Sequence, residues 1–249
     1  RKREQLSTDL LAQIHQESDR VQREVGGIWA WRARLFVEQM QQAVQYGPEI
    51  AEQIRVAQAA YQQGQLDEAI IRYRQVADLA VKRDRPEIAA EMMFTGGSIL
   101  LQKQQFAEAE KLFREGVDRF PETERAADCH LMWAWCLGKQ YEQKPTKSHR
   151  LRYTESLDEH LELYEMSSTT GDANLMYGQF QENRLQVTKA LEHYLKVPLD
   201  HPKSVMADVA ALRSYEKILK LLREQDRSLD AWQEEAIMRL TQRASAYPP

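Results

Sequence analysis

Small and aromatic side chains recur along the chain at fixed offsets. In three stretches, a small residue is followed twelve positions later by an alanine and sixteen positions later by an aromatic residue. These sets are Ala57, Ala69 and Tyr73; Gly97, Ala109 and Phe113; and Gly178, Ala190 and Tyr194. A small residue on one helix and an alanine on the next allow two antiparallel helices to approach closely, and the aromatic residue one turn later fills the space where this pair meets the next. The pattern therefore predicts a series of antiparallel helix pairs.

A regular spacing extends this pattern along the chain. Gly138 adds a fourth small residue, so that successive small positions are separated by 40, 41 and 40 residues. Gly64 lies in the first predicted turn, where glycine tolerates a positive φ. Five prolines fall between the periodic segments or in a first helical turn, where a missing N–H costs nothing. They are Pro48, Pro86, Pro121, Pro145 and Pro202. Six hairpins of about 40 residues account for the whole chain.

Two of the predicted hairpins depart from the pattern. In the third, residues 142–149 form a longer turn and Arg150 stands at the alanine position, so the second helix is predicted over about 147–167. The fifth hairpin is degenerate. The residues expected on the buried faces are Leu157, Leu161 and Tyr164 in the third hairpin, and Tyr215, Ile218, Leu219, Leu222 and Ala231 in the fifth.

The amino-terminal segment predicts two further helices, at about 4–24 and 28–46, separated by two glycines. An apolar stripe with 3-4 spacing runs along it, formed by Leu11, Ile14, Val21, Val25 and Ile28. Two interpretations remain open, because such a stripe can cap the first repeat or form a short coiled-coil seam between two chains. The predicted domains are a helical pair over 1–48, the repeats over 49–204 and a degenerate helical pair over 205–249.

The motifs inside these hairpins resemble the tetratricopeptide repeat (TPR) family. Segment 63–73 is similar to the family's inter-helix segment, and segment 104–113, with Pro121 after it, is a second copy. Ala134, Leu137, Gly138 and Tyr141 match the family's W-x-x-L-G-x-x-Y, with alanine in place of tryptophan. The spacing exceeds the usual TPR period of about 34 residues, so HEAT-like repeats of about 40–47 residues are an alternative. The resemblance covers about residues 50–204 and implies an all-α, right-handed superhelical solenoid of antiparallel helix pairs.

The resemblance also implies a concave, partner-binding groove, lined mainly by the first helix of each pair. By alignment with the family, the groove positions are Gln58 and Tyr61; Phe94, Ser98 and Leu101; Trp135 and Lys139; and Leu175, Gln179 and Glu182. The three large aromatic residues among them could equally be core residues of the longer helices. Chaperone-binding members hold a C-terminal carboxylate with lysine and asparagine. Here Gln58, Ser98 and Gln179 occupy the corresponding positions and only Lys139 is a cation, which disfavours that ligand.

Composition agrees with an all-α chain. Glycine contributes only 10 of 249 residues, which disfavours sandwiches, barrels and glycine-loop nucleotide folds. The net charge of −4 provides no basic field to attract nucleic acid, so we expect no nucleic-acid partner. No apolar run approaches the roughly 18 residues that a membrane span requires, so direct membrane insertion is not expected.

Recognisable catalytic and metal-binding motifs are absent from the sequence. The six histidines lack metal-ligand spacing, and the chain has no C-x-x-C, G-x-S-x-G, Walker A or Rossmann fingerprint. Cys129 and Cys136 are expected to be free, buried apolar residues, because seven helical positions separate them too widely for a disulfide. Segment 158–160, Asp-Glu-His, is interpreted as a solvated helix face. We therefore expect no enzyme activity, no metal and no cofactor.

The sequence predicts a protein-interaction scaffold that binds a peptide segment or partner protein in its groove. Tyr61, Phe94 and Trp135 are the expected apolar anchors across the first three repeats. A monomer is favoured. The alternatives are a structural or self-assembly module of a larger protein and an unrecognised small-molecule sensor or enzyme. The first residue, Arg1, is not a methionine, which favours a piece of a longer protein.

Overall fold

Helices form the secondary structure of the described part of this chain in a computed structural model. The structure describes residues 13, 16, 20 and 27–245, with side chains at 13, 16, 20 and 37–245. Residues 27–245 contain no β-strand. Their helices are α1 (Gly27–Tyr46), α2 (Pro48–Gln62), α3 (Leu66–Lys82), α4 (Pro86–Gln102), α5 (Phe106–Arg119), α6 (Arg125–Gln143), α7 (Lys147–Leu163), α8 (Thr170–Asn183), α9 (Val187–Leu195), α10 (Ser204–Glu224) and α11 (Asp230–Ala244). The apolar stripe predicted between Leu11 and Ile28 lies outside the described side chains.

The chain divides into two compact units, Arg1–Arg125 and Ala126–Pro249. In the first unit α1 packs against α2, α2 against α3, α3 against α4, and α4 against α5. In the second unit, α7 packs against α8, and each helix from α8 to α11 packs in the same sequential way. This succession confirms the predicted all-α helical repeat fold, in which neighbouring hairpins bury each other's apolar faces.

One type of turn recurs after the helices. Gly64, Asp84, Gln104, Leu185 and Asp226 all have a positive φ, between 53° and 74°. In each case the next residue donates its N–H to the carbonyl five positions before it, over 2.9–3.0 Å. This is the Schellman arrangement, which satisfies carbonyls left open at a helix end. The positive φ predicted at Gly64 is confirmed.

The aromatic residue of a hairpin packs on the small residue of the same hairpin. A Cβ atom added to the small residue would lie within 3 Å of the ring. These distances are 2.6 Å for Gly97 and Phe113, 2.9 Å for Gly138 and Tyr153, and 2.5 Å for Gly178 and Tyr194. The sequence pattern led us to expect this ring between one helix pair and the next. The structure corrects this expectation, because the ring packs between the two helices of its own pair. Because the second helix returns antiparallel to the first, the residue one turn beyond the alanine comes opposite the small position.

The third hairpin keeps this contact with a different register. Helix α7 begins at Lys147 as predicted, where the Thr146 hydroxyl accepts from the His149 N–H at 3.2 Å, but it ends at Leu163, four residues before the predicted end. Leu157 is fully buried, whereas Leu161 and Tyr164 are only half-buried. Tyr153 supplies the ring over Gly138. The sequence pattern missed it because it follows the small residue by fifteen positions instead of sixteen.

The last hairpin buries a different alanine from the one predicted. Helix α11 begins at Asp230, so Ala231 lies exposed in its first turn, and Ala236 is buried in its place. The first helix of this hairpin follows the prediction more closely, since Tyr215, Ile218 and Leu222 are buried.

Gly97 and its neighbour Gly96 provide a matched test of the small-residue contact. A Cβ at Gly96 meets the flexible end of Leu112 at 3.2 Å and the Tyr73 Cβ at an ordinary contact distance of 3.8 Å, whereas a Cβ at Gly97 meets the Phe113 ring at 2.6 Å. Both Gly→Ala changes gain about 1 kcal/mol of helix propensity, but overpacking costs Gly97→Ala about 1–3 kcal/mol. We expect Gly97→Ala to be less stable than Gly96→Ala by about that amount in denaturant unfolding. Equal stability of the two variants would contradict this packing.

Candidate functional site

Three of the predicted groove residues line one cavity in the second unit. Trp135 and Lys139 on α6 and Gln179 on α8 lie around an open space of about 330 Å³. We call it the Trp135 cavity. Its lining residues are Trp135, Gly138, Lys139, Tyr141, Glu142, Tyr153, Met176, Gln179, Phe180, Asn183 and Arg184.

Helical periodicity brings these side chains together. Trp135, Gly138 and Lys139 are three and four residues apart on α6, so they share one face of that helix. Met176, Gln179, Phe180 and Asn183 follow the same spacing on α8. Gly138 has no side chain, so the Tyr153 ring of α7 packs against its backbone and lines the cavity there. The cavity is thus a consequence of the repeat pattern itself.

Aromatic rings form the wall of the Trp135 cavity. Phe180 meets Tyr141 and Tyr153 edge to face, with ring centroids 5.6 and 5.2 Å apart. Such edge contacts fix rings in place and add to the energy of burial. Trp135 is half-buried, so its ring belongs to the wall and also reaches solvent.

Two cations lie over these rings. The Lys139 ammonium is 5.3 Å from the centroid of the Trp135 ring and donates to a Glu142 carboxylate oxygen at 2.7 Å. The Arg184 guanidinium lies 5.6 Å from the centroid of the Phe180 ring. Both distances allow a cation–π interaction. The cavity therefore joins an aromatic wall to a positively charged rim.

The predicted residues of the first unit have a different environment. Tyr61 and Ser98 line a smaller cavity of about 190 Å³. Both hydroxyls are already bonded, since Tyr61 donates to the Gln102 side-chain oxygen at 3.1 Å and Ser98 donates to the Phe94 carbonyl at 2.9 Å. The half-buried Gln58 lies outside this cavity.

Phe94 faces its own hairpin and the side chain of Arg125. Its ring centroid is 5.7 Å from that of Phe113, and the Arg125 guanidinium lies 4.9 Å from it. Arg125 also pairs with Glu91. Phe94 therefore packs as part of the hairpin.

Two residues aligned with the groove have structural contacts instead. Leu175 is buried in the core that α8, α9 and α10 share, so its predicted place in the groove is corrected. Glu182 accepts hydrogen bonds from the Tyr194 hydroxyl at 2.7 Å and from Lys217 at 2.5 Å. These contacts hold the pKa of Glu182 below its usual value, with the Lys217 hydrogen bond as the largest cause. Leu101, the remaining aligned residue, is half-buried.

A pair of buried histidines lies between α6 and α7 and was not predicted. His130 Nδ1 and His160 Nδ1 are 3.3 Å apart, and His160 Nε2 lies 2.9 Å from the Thr169 hydroxyl oxygen. Both side chains are fully buried, so the interpretation of residues 158–160 as a solvated face is wrong for His160, although Asp158 and Glu159 are exposed. Consecutive helical residues point in different directions, and the third of this run points inward.

Burial shifts the pKa values of these histidines. Desolvation lowers the pKa of His160 to about 4, with the neighbouring His130 as a second cause, and it also lowers the pKa of His130. His130 Nε2 has no hydrogen-bond partner among the described residues, and Glu159 is 3.7 Å away. A buried, nearly unpaired ring nitrogen favours the neutral form.

Cys129 and Cys136 are both buried and form no disulfide with each other, as the sequence predicts. Within the described ranges, no three histidine, cysteine or acidic side chains converge as metal ligands do. Across the same part of the chain, no helix combines the length and apolar character of a membrane span.

Comparison with known proteins identifies the type of fold. No protein-family model matches the sequence, and no curated protein is significantly similar to it. Among solved structures, the chain is similar to the crystal structure of MamA, a TPR-containing protein, with a TM-score of 0.50 and 16% identity. The likeness covers 82% of this chain and 98% of the MamA chain. Together with the sequential helix packing, it shows a TPR-like, all-α helical repeat fold.

Proposed function

We propose that this chain is a non-enzymatic protein-interaction scaffold and that the Trp135 cavity binds a peptide segment of its partner. The observation that carries the proposal is the half-buried Trp135 at an open cavity walled by Phe180 and Tyr153. Tryptophan is among the residues that contribute most to binding energy, because a rigid ring buries a large area at low entropic cost.

The size and chemistry of the cavity support a peptide as the ligand. Ligand pockets usually measure about 300–1,000 Å³, and this cavity of about 330 Å³ has room for one large side chain. The exposed amides of Gln179 and Asn183 lie at its rim, where they can bond to a peptide backbone. The TPR-like fold supports the same class of function.

The first unit has a smaller part in this proposal. Tyr61 is 40% exposed and borders the cavity of that unit with Ser98. We propose these two residues, with Gln58 beside them on α2, as a second contact surface. The packing of Phe94 on Phe113 favours a structural role for that ring.

Replacing Trp135 by alanine tests the proposal. We expect affinity for a bound peptide to fall by at least about 2 kcal/mol, which is about 30-fold. The probe is a set of peptides selected from a random display library against the whole chain, titrated by fluorescence anisotropy. Trp232→Ala is the matched control, because Trp232 packs on the core of the last hairpins, away from the cavity.

Thermal unfolding of the same variants separates binding from packing. A pure core role for Trp135 predicts a loss of about 3–5 kcal/mol in unfolding free energy, with weaker binding only through unfolding. A variant with unchanged affinity and unchanged melting temperature would contradict both roles.

A further inference from the structure

The donors and cations at the rim of the Trp135 cavity indicate what kind of peptide fits. Lys139 and Arg184 are its two cations, and Glu142 is the one acidic residue that lines it. The cavity therefore carries a local positive excess on a chain whose net charge is −4. A ligand with negative charge complements this site.

Arg184 is the cation that is open to a ligand. Lys139 already pairs with Glu142 at 2.7 Å. Arg184 lies over the Phe180 ring, and in the described part of the molecule no carboxylate pairs with its guanidinium. It follows α8 as the capping residue, so its position is fixed by the end of that helix. A guanidinium with free donors is well suited to bind a carboxylate with two parallel hydrogen bonds.

Tyr153 provides a second open donor. Tyr153 is buried, with 7% of the residue exposed, and its ring lines the cavity. Over residues 37–245 its hydroxyl has no hydrogen-bond partner. Burial, with the nearby Glu142 as a second cause, raises the pKa of this hydroxyl, so it stays a neutral donor. The hydroxyl is not one of the fully buried unpaired atoms of the described residues, so it is accessible from the cavity and can donate to a ligand oxygen.

We infer that the Trp135 cavity recognises an internal acidic–apolar motif, in which a large apolar side chain packs on the ring wall and a nearby aspartate or glutamate pairs with Arg184. The Tyr153 hydroxyl donates to an oxygen of the same segment. This inference rests on the proposed function and names the chemistry of its ligand. The carboxylate is that of a side chain, so a free carboxyl terminus is not required.

The experiment uses the whole chain and C-terminally amidated peptides from a random display library. We expect the selected peptides to be enriched in aspartate or glutamate next to large apolar residues. Changing that acidic residue to its amide should weaken binding at least about tenfold, as should Arg184→Gln. The two changes combined should cost little more than either alone, because they remove the same ion pair.

Arg227→Gln is the control, because Arg227 is an exposed arginine in the turn before α11 and does not line the cavity. Peptides that need Trp135 but show no acidic enrichment, or that bind Arg184→Gln as tightly as the parent, would overturn this inference and leave the proposed function standing. Absence of any selected peptide, or binding that survives Trp135→Ala, would overturn the proposed function as well.

Discussion

Replacing Tyr194 by alanine should lower the unfolding free energy of the chain by about 3–5 kcal/mol, the usual cost of removing a buried aromatic ring. Tyr194 is 1% exposed, its ring covers the bare backbone of Gly178, and its hydroxyl donates to Glu182 at 2.7 Å. Alanine would leave a cavity where α8 and α9 meet. Chemical denaturation measures the loss.

Tyr194→Phe is the matched control, because it keeps the ring and removes only the hydroxyl. We expect it to cost about 1.5–3 kcal/mol, the net value of a hydrogen bond to a charged group. If both variants lost the same small amount, the ring over Gly178 would not hold this hairpin together. Such a result would contradict the packing described for all the hairpins with a glycine in the small position.

Acidification should destabilise the second unit, with a loss of about 2 kcal/mol from His160 alone between pH 7 and pH 5. The pKa of His160 is about 4 in the folded chain and about 6.5 when unfolded. Below pH 6.5 the unfolded chain therefore binds a proton that the folded chain does not, so stability falls as pH falls towards 4. The lowered pKa values of His130 and of His193, the latter about 4, act in the same direction.

The variant His160→Gln checks the assignment, because glutamine can keep a polar contact to Thr169 without titrating. Its unfolding free energy should depend less on pH between 6.5 and 5 than that of the parent. His149→Gln is the control, since His149 lies at the start of α7, outside the buried pair. A parent whose stability is flat from pH 7 to pH 5 would contradict the buried neutral pair.

The repeat pattern was predictable because it follows from helix geometry alone. The spacing of sixteen residues between a small residue, such as Gly97 or Gly178, and an aromatic residue determines which faces of the two helices meet. That spacing can be read directly from the sequence. Tyr153 and Ala236 were missed for the opposite reason. Tyr153 follows a loop whose last residue, Thr146, has an extended backbone, and Ala236 follows a longer loop between Glu224 and Asp230. Each loop shifts the register of the next helix relative to the repeat pattern.

The candidate site was predictable only in part. Alignment with the TPR pattern pointed to Trp135, Lys139 and Gln179, which the fold brings to one cavity. Tyr153 and Arg184 could not be found this way, because one comes from the second helix of a hairpin and the other from a helix end. The contact between His130 and His160 joins residues 30 positions apart, and no local motif encodes it.

Methyl NMR of the methionines is the most direct test of the central claim that a peptide binds at the Trp135 cavity. The chain has eight methionines, and of those at described positions only Met176 lines the cavity. Titration with a selected peptide should shift the Met176 methyl signal and leave those of Met93, buried in the first unit, and Met238, exposed on α11, unchanged. A shift at Met238 or Met93 with Met176 unmoved would place the peptide elsewhere and contradict the account.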